Sequence, residues 1–93
     1  MWFGDRDLEE YWNGAPAPRR VPPDVRKRLV RRLQMLDAAR TVEDLRVPPS
    51  NHLERLRGDL KGRWSLRVNG QWRLIFEWSE EGARDVRFGD YHR

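Results

Sequence analysis

The chain has 93 residues, no cysteine and a formal net charge of +4, with 19 lysine and arginine residues against 15 acidic ones. We expect one domain over residues 1–93 without disulfides. We also expect a cytoplasmic protein, because there is no secretory signal and no apolar run near the roughly 20 residues of a membrane span. This basic, arginine-rich composition favours an anionic partner, nucleic acid first, although runs of charge are also common on solvated surfaces.

The N-terminus begins with a short apolar segment, Met1–Phe3, which suggests an edge strand. Asp5 is a suitable N-cap for a helix over about residues 6–12, and Asn13–Gly14 is a typical helix end. A proline-rich loop follows over residues 15–23.

A second helix is predicted after Pro22–Pro23, since proline is tolerated in a first turn and Asp24 places negative charge near the positive helix end. Apolar residues at helical spacing form one stripe that we expect to face the core: Val25, Leu29, Leu33, Leu36 and Ala39. The basic residues Lys27, Arg28 and Arg31 lie on the opposite or flanking side, with Arg32 at the edge of the stripe.

The middle of the chain predicts short elements. Thr41–Asp44 resembles a capping box for a short helix to about Leu45, and Pro48–Asn51 predicts a turn. A polar loop with two glycines covers residues 57–62. From Trp64 onward, apolar and polar residues alternate as in antiparallel strands, and helices followed by hairpins predict an α+β fold.

Two registers are possible for the hairpin around Asn69–Gly70, and they differ in the length of the loop. Asn69–Gly70 favours a two-residue turn, which would place the apolar residues of the two strands on opposite faces of the sheet. A three-residue loop over residues 69–71 puts them on one face: Trp64, Leu66, Val68, Trp72, Leu74, Phe76 and Trp78. Because burial of each large side chain contributes roughly 1.5–3 kcal/mol, we predict the longer loop, with Gly70 or Gln71 left-handed.

This register makes Arg67 and Arg73 cross-strand neighbours on the open face, where like charges repel each other. Two arrangements stay open: an anion bridges the two arginines, or they turn into solvent or pair with Glu77 and Asp85. Since the two arginines repel each other, we expect Arg73 to add little to folding stability.

Several segments, in order along nearly the whole chain, resemble the HigB-type toxins, or plasmid-maintenance killer proteins, of the RelE superfamily. They are the helical region Pro22–Ala39, the run Leu56–Asp59 with Gly62, the strand segments Trp64–Ser65, Arg67–Asn69 and Gln71–Arg73, and the closing Asp90–His92.

The resemblance implies a RelE-like fold, in which two N-terminal helices pack on one face of a small antiparallel sheet. It implies that the open face accepts mRNA in the ribosomal A site. There a ribose 2′-oxygen attacks the adjacent phosphorus and the 5′-oxygen leaves, with no metal or other cofactor. Such cleavage needs a base, cations for the charge on phosphorus, and an acid.

The resemblance assigns catalysis to six residues: Arg57, Arg67, Arg73, Asp90, Tyr91 and His92. Arg73 matches the arginine that stabilises the phosphate, and His92 is the natural proton-transfer group because imidazole titrates near neutral pH. Asp90 orients His92 or acts as the base, and Tyr91 stacks on a base or positions the phosphate. RNA contacts are expected from five further residues: Lys27, Arg28, Arg31, Lys61 and Gln71.

The implied partners are a cognate helix-turn-helix antitoxin similar to HigA, the ribosome and mRNA, with operator DNA reached only through the antitoxin. Three departures from the family concern the site. The position of Arg57 is often lysine in relatives, and arginine keeps the charge but does not exchange a proton near neutral pH. Gly89 stands where relatives usually carry a branched apolar residue, and Glu54 stands near a position where some relatives have histidine, with His52 two residues earlier. The choice of general base and general acid is therefore open.

Two other functions stay open. One is a basic domain that binds RNA or the ribosome without cutting. The other is a ParE-like toxin directed at gyrase, against which Asp90–His92 and the paired arginines argue. A metal site is not expected, since two histidines and no cysteine make a poor ligand set.

Overall fold

The computed structural model describes residues 1–91, which form two α-helices, three short 3-10 helices and four strands. The helices are α1 (Arg6–Trp12) and α2 (Arg26–Ala38), and the 3-10 helices cover Val42–Arg46, Pro49–Asn51 and Gly58–Leu60. The strands are β1 (Glu54–Arg55), β2 (Trp64–Arg67), β3 (Arg73–Ser79) and β4 (Gly82–Gly89). They pair antiparallel in the order β1-β2-β3-β4, which confirms the α+β class. Neither described α-helix has the length and apolar character needed to cross a membrane.

Helix α1 spans the predicted residues, and Gly14 after it adopts a left-handed φ of 108°. Asp5 occupies the predicted N-cap position with an extended backbone, but its carboxylate accepts no hydrogen bond from the N–H groups of the first helical turn. The Asp5 carboxylate instead accepts the backbone N–H of Phe88 at 2.7 Å and a donor of Arg20 at 2.9 Å. The hydrogen bond with Phe88, 83 residues away in sequence, thus takes the place of the expected hydrogen bond between the Asp5 carboxylate and the first turn of α1.

Helix α2 confirms the predicted stripe. Its apolar residues are buried or packed on the core: Val25, Leu29, Leu33, Leu36 and Ala39. Lys27, Arg28 and Arg31 are exposed. Arg32, at the stripe's edge, is half-buried and donates its Nε to the Arg67 carbonyl at 2.9 Å. The basic side of α2 therefore meets the end of β2.

The short elements between α2 and the sheet are confirmed in part. Thr41 and Asp44 form the predicted capping box of the 3-10 helix Val42–Arg46, with the Asp44 carboxylate accepting the Thr41 N–H at 3.1 Å. Strand β1 has no counterpart in the sequence pattern, because its two residues are both charged and exposed. The predicted N-terminal edge strand is reduced to one parallel bridge between Phe3 and Val86.

The hairpin between β2 and β3 has the predicted three-residue loop. Arg67 lies opposite Arg73, and the Val68 N–H donates to the Trp72 carbonyl at 2.9 Å. The expected left-handed residue at Gly70 or Gln71 is wrong. The Asn69 side chain closes the loop instead, since its Oδ1 accepts the backbone N–H groups of Gln71 at 2.9 Å and Trp72 at 2.7 Å.

The register places the predicted apolar face of the sheet on the core. Leu66, Val68, Leu74 and Phe76 are buried, with the three predicted tryptophans packed against them. Side chains from both α-helices, including Leu8 of α1, belong to the same cluster. The packing of both helices on one face of the sheet stays a prediction. Alternate strand residues point the other way, and there Ser65 and Ile75 are also buried.

Candidate active site

A cleft of about 380 Å³ lies on the face of the sheet opposite the core. Strands β2 and β3 supply its floor through Ser65, Arg73 and Ile75, which alternate with core residues. The remaining walls come from β1 and the segment after it, the hairpin loop and the C-terminal segment: Glu54, Leu56, Leu60, Gly70, Gln71 and Tyr91. The cleft thus combines an arginine, a carboxylate, a hydroxyl, an amide and a phenol with the apolar side chains of Leu56, Leu60 and Ile75.

Arg73 is the cation on the cleft floor, and its side chain is only 20% exposed. Its Nε donates to the Oγ of the buried Ser65, and its Nη2 donates to the His52 carbonyl at 2.8 Å. The Glu54 carboxylate lies 3.8 Å from the same Nη2. Ser65 and the His52 carbonyl orient the guanidinium, and the Glu54 carboxylate forms an ion pair with it.

Arg67 lies beside the same segment through His52. The His52 backbone is left-handed, with φ 43° and ψ 57°, and its Nε2 lies 3.4 Å from Nη1 of Arg67. His52 therefore contacts Arg73 through its carbonyl and Arg67 through its ring. Glu77 and Asp85, the alternative acidic partners for these arginines, both pair with Arg63 instead.

The C-terminal segment returns to the cleft next to the hairpin loop. Gln71 donates its amide Nε2 to the Asp90 carboxylate at 3.2 Å. The Tyr91 ring lies against Gly89, where an added Cβ would come within 2.9 Å of a ring carbon. Burial, reinforced by the negative charge of Asp5, raises the pKa of Tyr91. The phenol is therefore protonated at neutral pH and able to donate a hydrogen bond. The predicted His92 lies outside the described residues.

The other predicted residues are not gathered in this cleft. Arg57 and Lys61 line a neighbouring hollow, which shares Leu56 with the cleft and also contains Arg55. Lys27 and Arg31 line a separate depression along α2. Arg28 lines both that depression and a third one that reaches Arg67 and Asn69. These hollows extend the basic surface on either side of the cleft.

Three neighbours of the arginines were missed by the sequence analysis as site residues: Ser65, His52 and Glu54. A signal for Ser65 was present, because the predicted register makes it a diagonal cross-strand neighbour of Arg73 on the same face. The resemblance had already marked the positions of His52 and Glu54, but the residue pattern did not predict their contacts with the arginines, since the non-regular chain around β1 carries them to the sheet. Among residues 1–91, no group of three or more histidine or acidic side chains is placed to hold a metal ion.

Residues 1–92 match the family described as RelE-like toxin of type II toxin-antitoxin system HigB. The chain belongs to this family of HigB-like toxins. The match takes in all the elements described above and the C-terminal segment that enters the cleft.

Curated relatives agree with this membership. The chain is 46% identical to Toxin HigB-1 of Vibrio cholerae, over 82% of this chain and 80% of the relative. It is 33% identical to Endoribonuclease HigB of Proteus vulgaris, over 77% of each. A chain of the YoeB-YefM complex from Staphylococcus aureus has a TM-score of 0.58 at 18% identity, covering 99% of this chain and 94% of that one. That likeness supports the fold of this HigB-like toxin.

Proposed function

We propose that this HigB-like toxin is an mRNA endoribonuclease that acts on the ribosome and uses neither metal nor cofactor. The observation that carries the proposal is the oriented guanidinium of Arg73 in a cleft that also receives Tyr91 and, through Gln71, lies beside Asp90. The endoribonuclease name of the Proteus vulgaris relative supports the same activity. The RelE-like arrangement would leave this face of the sheet open, with both helices on the other.

Arg73 is proposed to bind the scissile phosphate. When the 2′-oxygen attacks, negative charge builds up on the phosphate oxygens, and a donor already in position stabilises that charge without reorganising. The bonds from Arg73 to Ser65 and the His52 carbonyl supply this orientation. Arg67 is the proposed second cation, and Arg57 a third that approaches from the neighbouring hollow.

Proton transfer is assigned to the C-terminal segment. Asp90 and His92 are the proposed groups for removing the 2′-hydroxyl proton and protonating the 5′-oxygen. Tyr91, protonated at neutral pH because burial raises its pKa, donates a hydrogen bond to the phosphate or stacks on a base. Gln71, a proposed RNA-binding residue, donates a hydrogen bond to the Asp90 carboxylate.

The ribosome is proposed as a required partner, because the cleft is small and exposes few groups that could order a flexible RNA. Lys27, Arg28, Arg31 and Lys61 would contact RNA around the cleft. The family is that of type II toxin–antitoxin systems, so we further propose a HigA-like helix-turn-helix antitoxin, operator DNA contacted only through it, and a cytoplasmic location.

The test is cleavage by the purified chain with mRNA alone, with mRNA on ribosomes, and with ribosomes plus the Arg73→Ala variant. We expect cuts, mapped by primer extension, only when wild-type protein and ribosomes are both present. Equal cleavage of free mRNA at the same codons would refute ribosome dependence. Ribosome binding without cleavage would favour a non-catalytic role, and inhibition of gyrase with intact mRNA would favour a ParE-like function.

A further inference from the structure

The outer edge of β4 is covered by the N-terminal segment as far as Val86. The Val86 N–H donates to the Trp2 carbonyl at 3.0 Å, and the Gly4 N–H donates to the Val86 carbonyl at 2.9 Å. An edge strand otherwise presents unpaired N–H and C=O groups along its length. After Gly4 the chain turns into α1. Within the described residues, the N-terminal backbone therefore does not pair with β4 beyond Val86.

Beyond Val86, the side chains of Asp5 and Arg20 bind the backbone of β4 at Phe88. The Asp5 carboxylate accepts the Phe88 N–H at 2.7 Å, and Arg20 Nη1 donates to the Phe88 carbonyl at 2.6 Å. Together they occupy the donor and acceptor of one β4 residue, as a neighbouring strand would. Asp5 and Arg20 are also paired with each other at 2.9 Å.

Arg20 is itself held from several sides. Its Nε donates to Asp7 at 2.7 Å, and its guanidinium lies 5.5 Å from the centroid of the Phe88 ring. That ring stacks on Trp72 with centroids 5.0 Å apart and an interplanar angle of 10°. Phe88 is therefore fixed by its backbone on the outer side and by its ring against the core side.

The position of Phe88 matters because the proposed site begins directly after it. Gly89 pairs with Arg73 in the last rung of the sheet, Asp90 accepts from Gln71, and Tyr91 enters the cleft. A shift of Phe88 would move all three relative to Arg73. A displacement of about 1 Å in a catalytic arrangement can lower a rate about 100-fold.

We propose that Arg20 and Asp5 are positioning residues, which pin Phe88 so that the C-terminal segment leaves the sheet beside Arg73. Neither side chain lines the cleft: both bind the backbone of β4, and their charges also act on the Tyr91 phenol. The inference deepens the proposed function and rests on it for its catalytic consequence. The pinning of the segment can be measured without RNA.

The first experiment compares Arg20→Ala with Arg84→Ala in single-turnover cleavage on ribosomes. Arg84 is the control: it belongs to β4 itself, near the opposite end of the strand, and like Arg20 it pairs with an acid and stacks over an aromatic ring, Trp2. We expect Arg20→Ala to lower the rate at saturating ribosome complex about 10- to 100-fold, with the half-saturating concentration changed less than about threefold. Arg84→Ala should stay within about twofold of wild type in both quantities.

The second experiment measures amide hydrogen exchange in the same proteins without ribosomes. Arg20→Ala should raise exchange at Phe88 and Gly89 about tenfold or more, while Leu66 and Leu74 in the core keep wild-type exchange. If wild type fails to cleave, the proposed function is wrong, and this measurement alone decides whether Arg20 pins the segment. Unchanged exchange, or equal rates for the two alanine variants, overturns the proposal.

Two conservative variants keep the test decisive if Arg20→Ala unfolds. Arg20→Lys retains the charge and one donor, and should recover part of the rate. Asp5→Asn retains an acceptor for the Phe88 N–H but loses the charge that holds Arg20, and should lower the rate by an intermediate factor. Normal rates and normal exchange at Phe88 in both variants would contradict the assignment.

Discussion

Replacing Arg73 by alanine removes the guanidinium from the cleft floor while leaving the backbone pairing of β3. Loss of one preorganised donor to a developing anion typically lowers a rate about 100- to 1,000-fold, or roughly 3–4 kcal/mol. We expect single-turnover cleavage on ribosomes to fall by this factor, with ribosome binding changed far less. Arg73→Lys should recover only part of the rate, because a point charge lacks the planar fork of arginine.

The structure changes the expected effect on stability. Considering only the repulsion from Arg67, Arg73→Ala should lose almost no folding stability. Arg73 also donates hydrogen bonds to Ser65 Oγ and to the His52 carbonyl, however, and the variant loses both. Ser65 is fully buried, so its hydroxyl loses a partner in the variant, at a cost of about 1–2 kcal/mol. For a domain of this size each kcal/mol corresponds to about 4–8 °C in Tm.

Ser65→Ala separates the two effects. It breaks the same hydrogen bond and leaves the guanidinium, so its Tm should also fall while its rate stays much closer to wild type. The assay pairs quenched-flow cleavage with thermal unfolding followed by circular dichroism. If Arg73→Ala cleaves at the wild-type rate, Arg73 is not the phosphate-binding group; if Ser65→Ala loses as much rate as Arg73→Ala, the His52 carbonyl alone does not keep the guanidinium oriented.

Three further predictions concern other parts of the molecule. Gly89→Ala should displace the Tyr91 ring, since the new Cβ would lie 2.9 Å from it; cleavage should fall about tenfold, and normal activity would contradict the placement of Tyr91. Burial alone would raise the pKa of Asp85, but hydrogen bonds from Arg63 and Arg87 lower it. The ionised carboxylate therefore stabilises the fold at pH values above its unfolded-state pKa of about 3.9. This stabilisation is lost as the pH falls through the folded-state pKa. In urea denaturation, Asp85→Asn should thus cost about 1 kcal/mol at pH 7, and this cost should shrink steadily as the pH falls below about 3.9. Chelating trace transition metals while magnesium keeps the ribosomes intact should leave cleavage unchanged, and recovery of lost activity by zinc alone would contradict the metal-free mechanism.

Local pattern and burial were sufficient for much of the fold. The apolar spacing of α2 and the Thr41–Asp44 capping box each depend on residues within a few turns of one another. The hairpin register was also predictable, although the Asn69–Gly70 pair favours a shorter turn. Burial of a whole apolar face outweighs the preference of two loop residues, and this comparison can be made from the sequence.

Some features of the candidate site were predictable from the sequence, and others were not. The opposition of Arg67 and Arg73 follows from the register, and the resemblance to the HigB-type toxins had already marked Arg73, Asp90 and Tyr91. The sequence could not show that His52 contacts both arginines, since that contact depends on a left-handed residue before a two-residue strand.

The sequence by itself determined the features that depend on neighbours along the chain. These are the two helices, the alternating strands, the hairpin register and the basic character of the protein. Only the tertiary structure decided the role of side chains that can satisfy either a local or a distant partner. Asp5 is the clearest example, because the isolated segment favours a helix cap, whereas the folded chain brings the Phe88 N–H and Arg20 within 2.9 Å of the same carboxylate. A half-buried strand edge and a guanidinium together outcompete the first turn of α1, because an unpaired backbone group away from water costs more than one that water can reach.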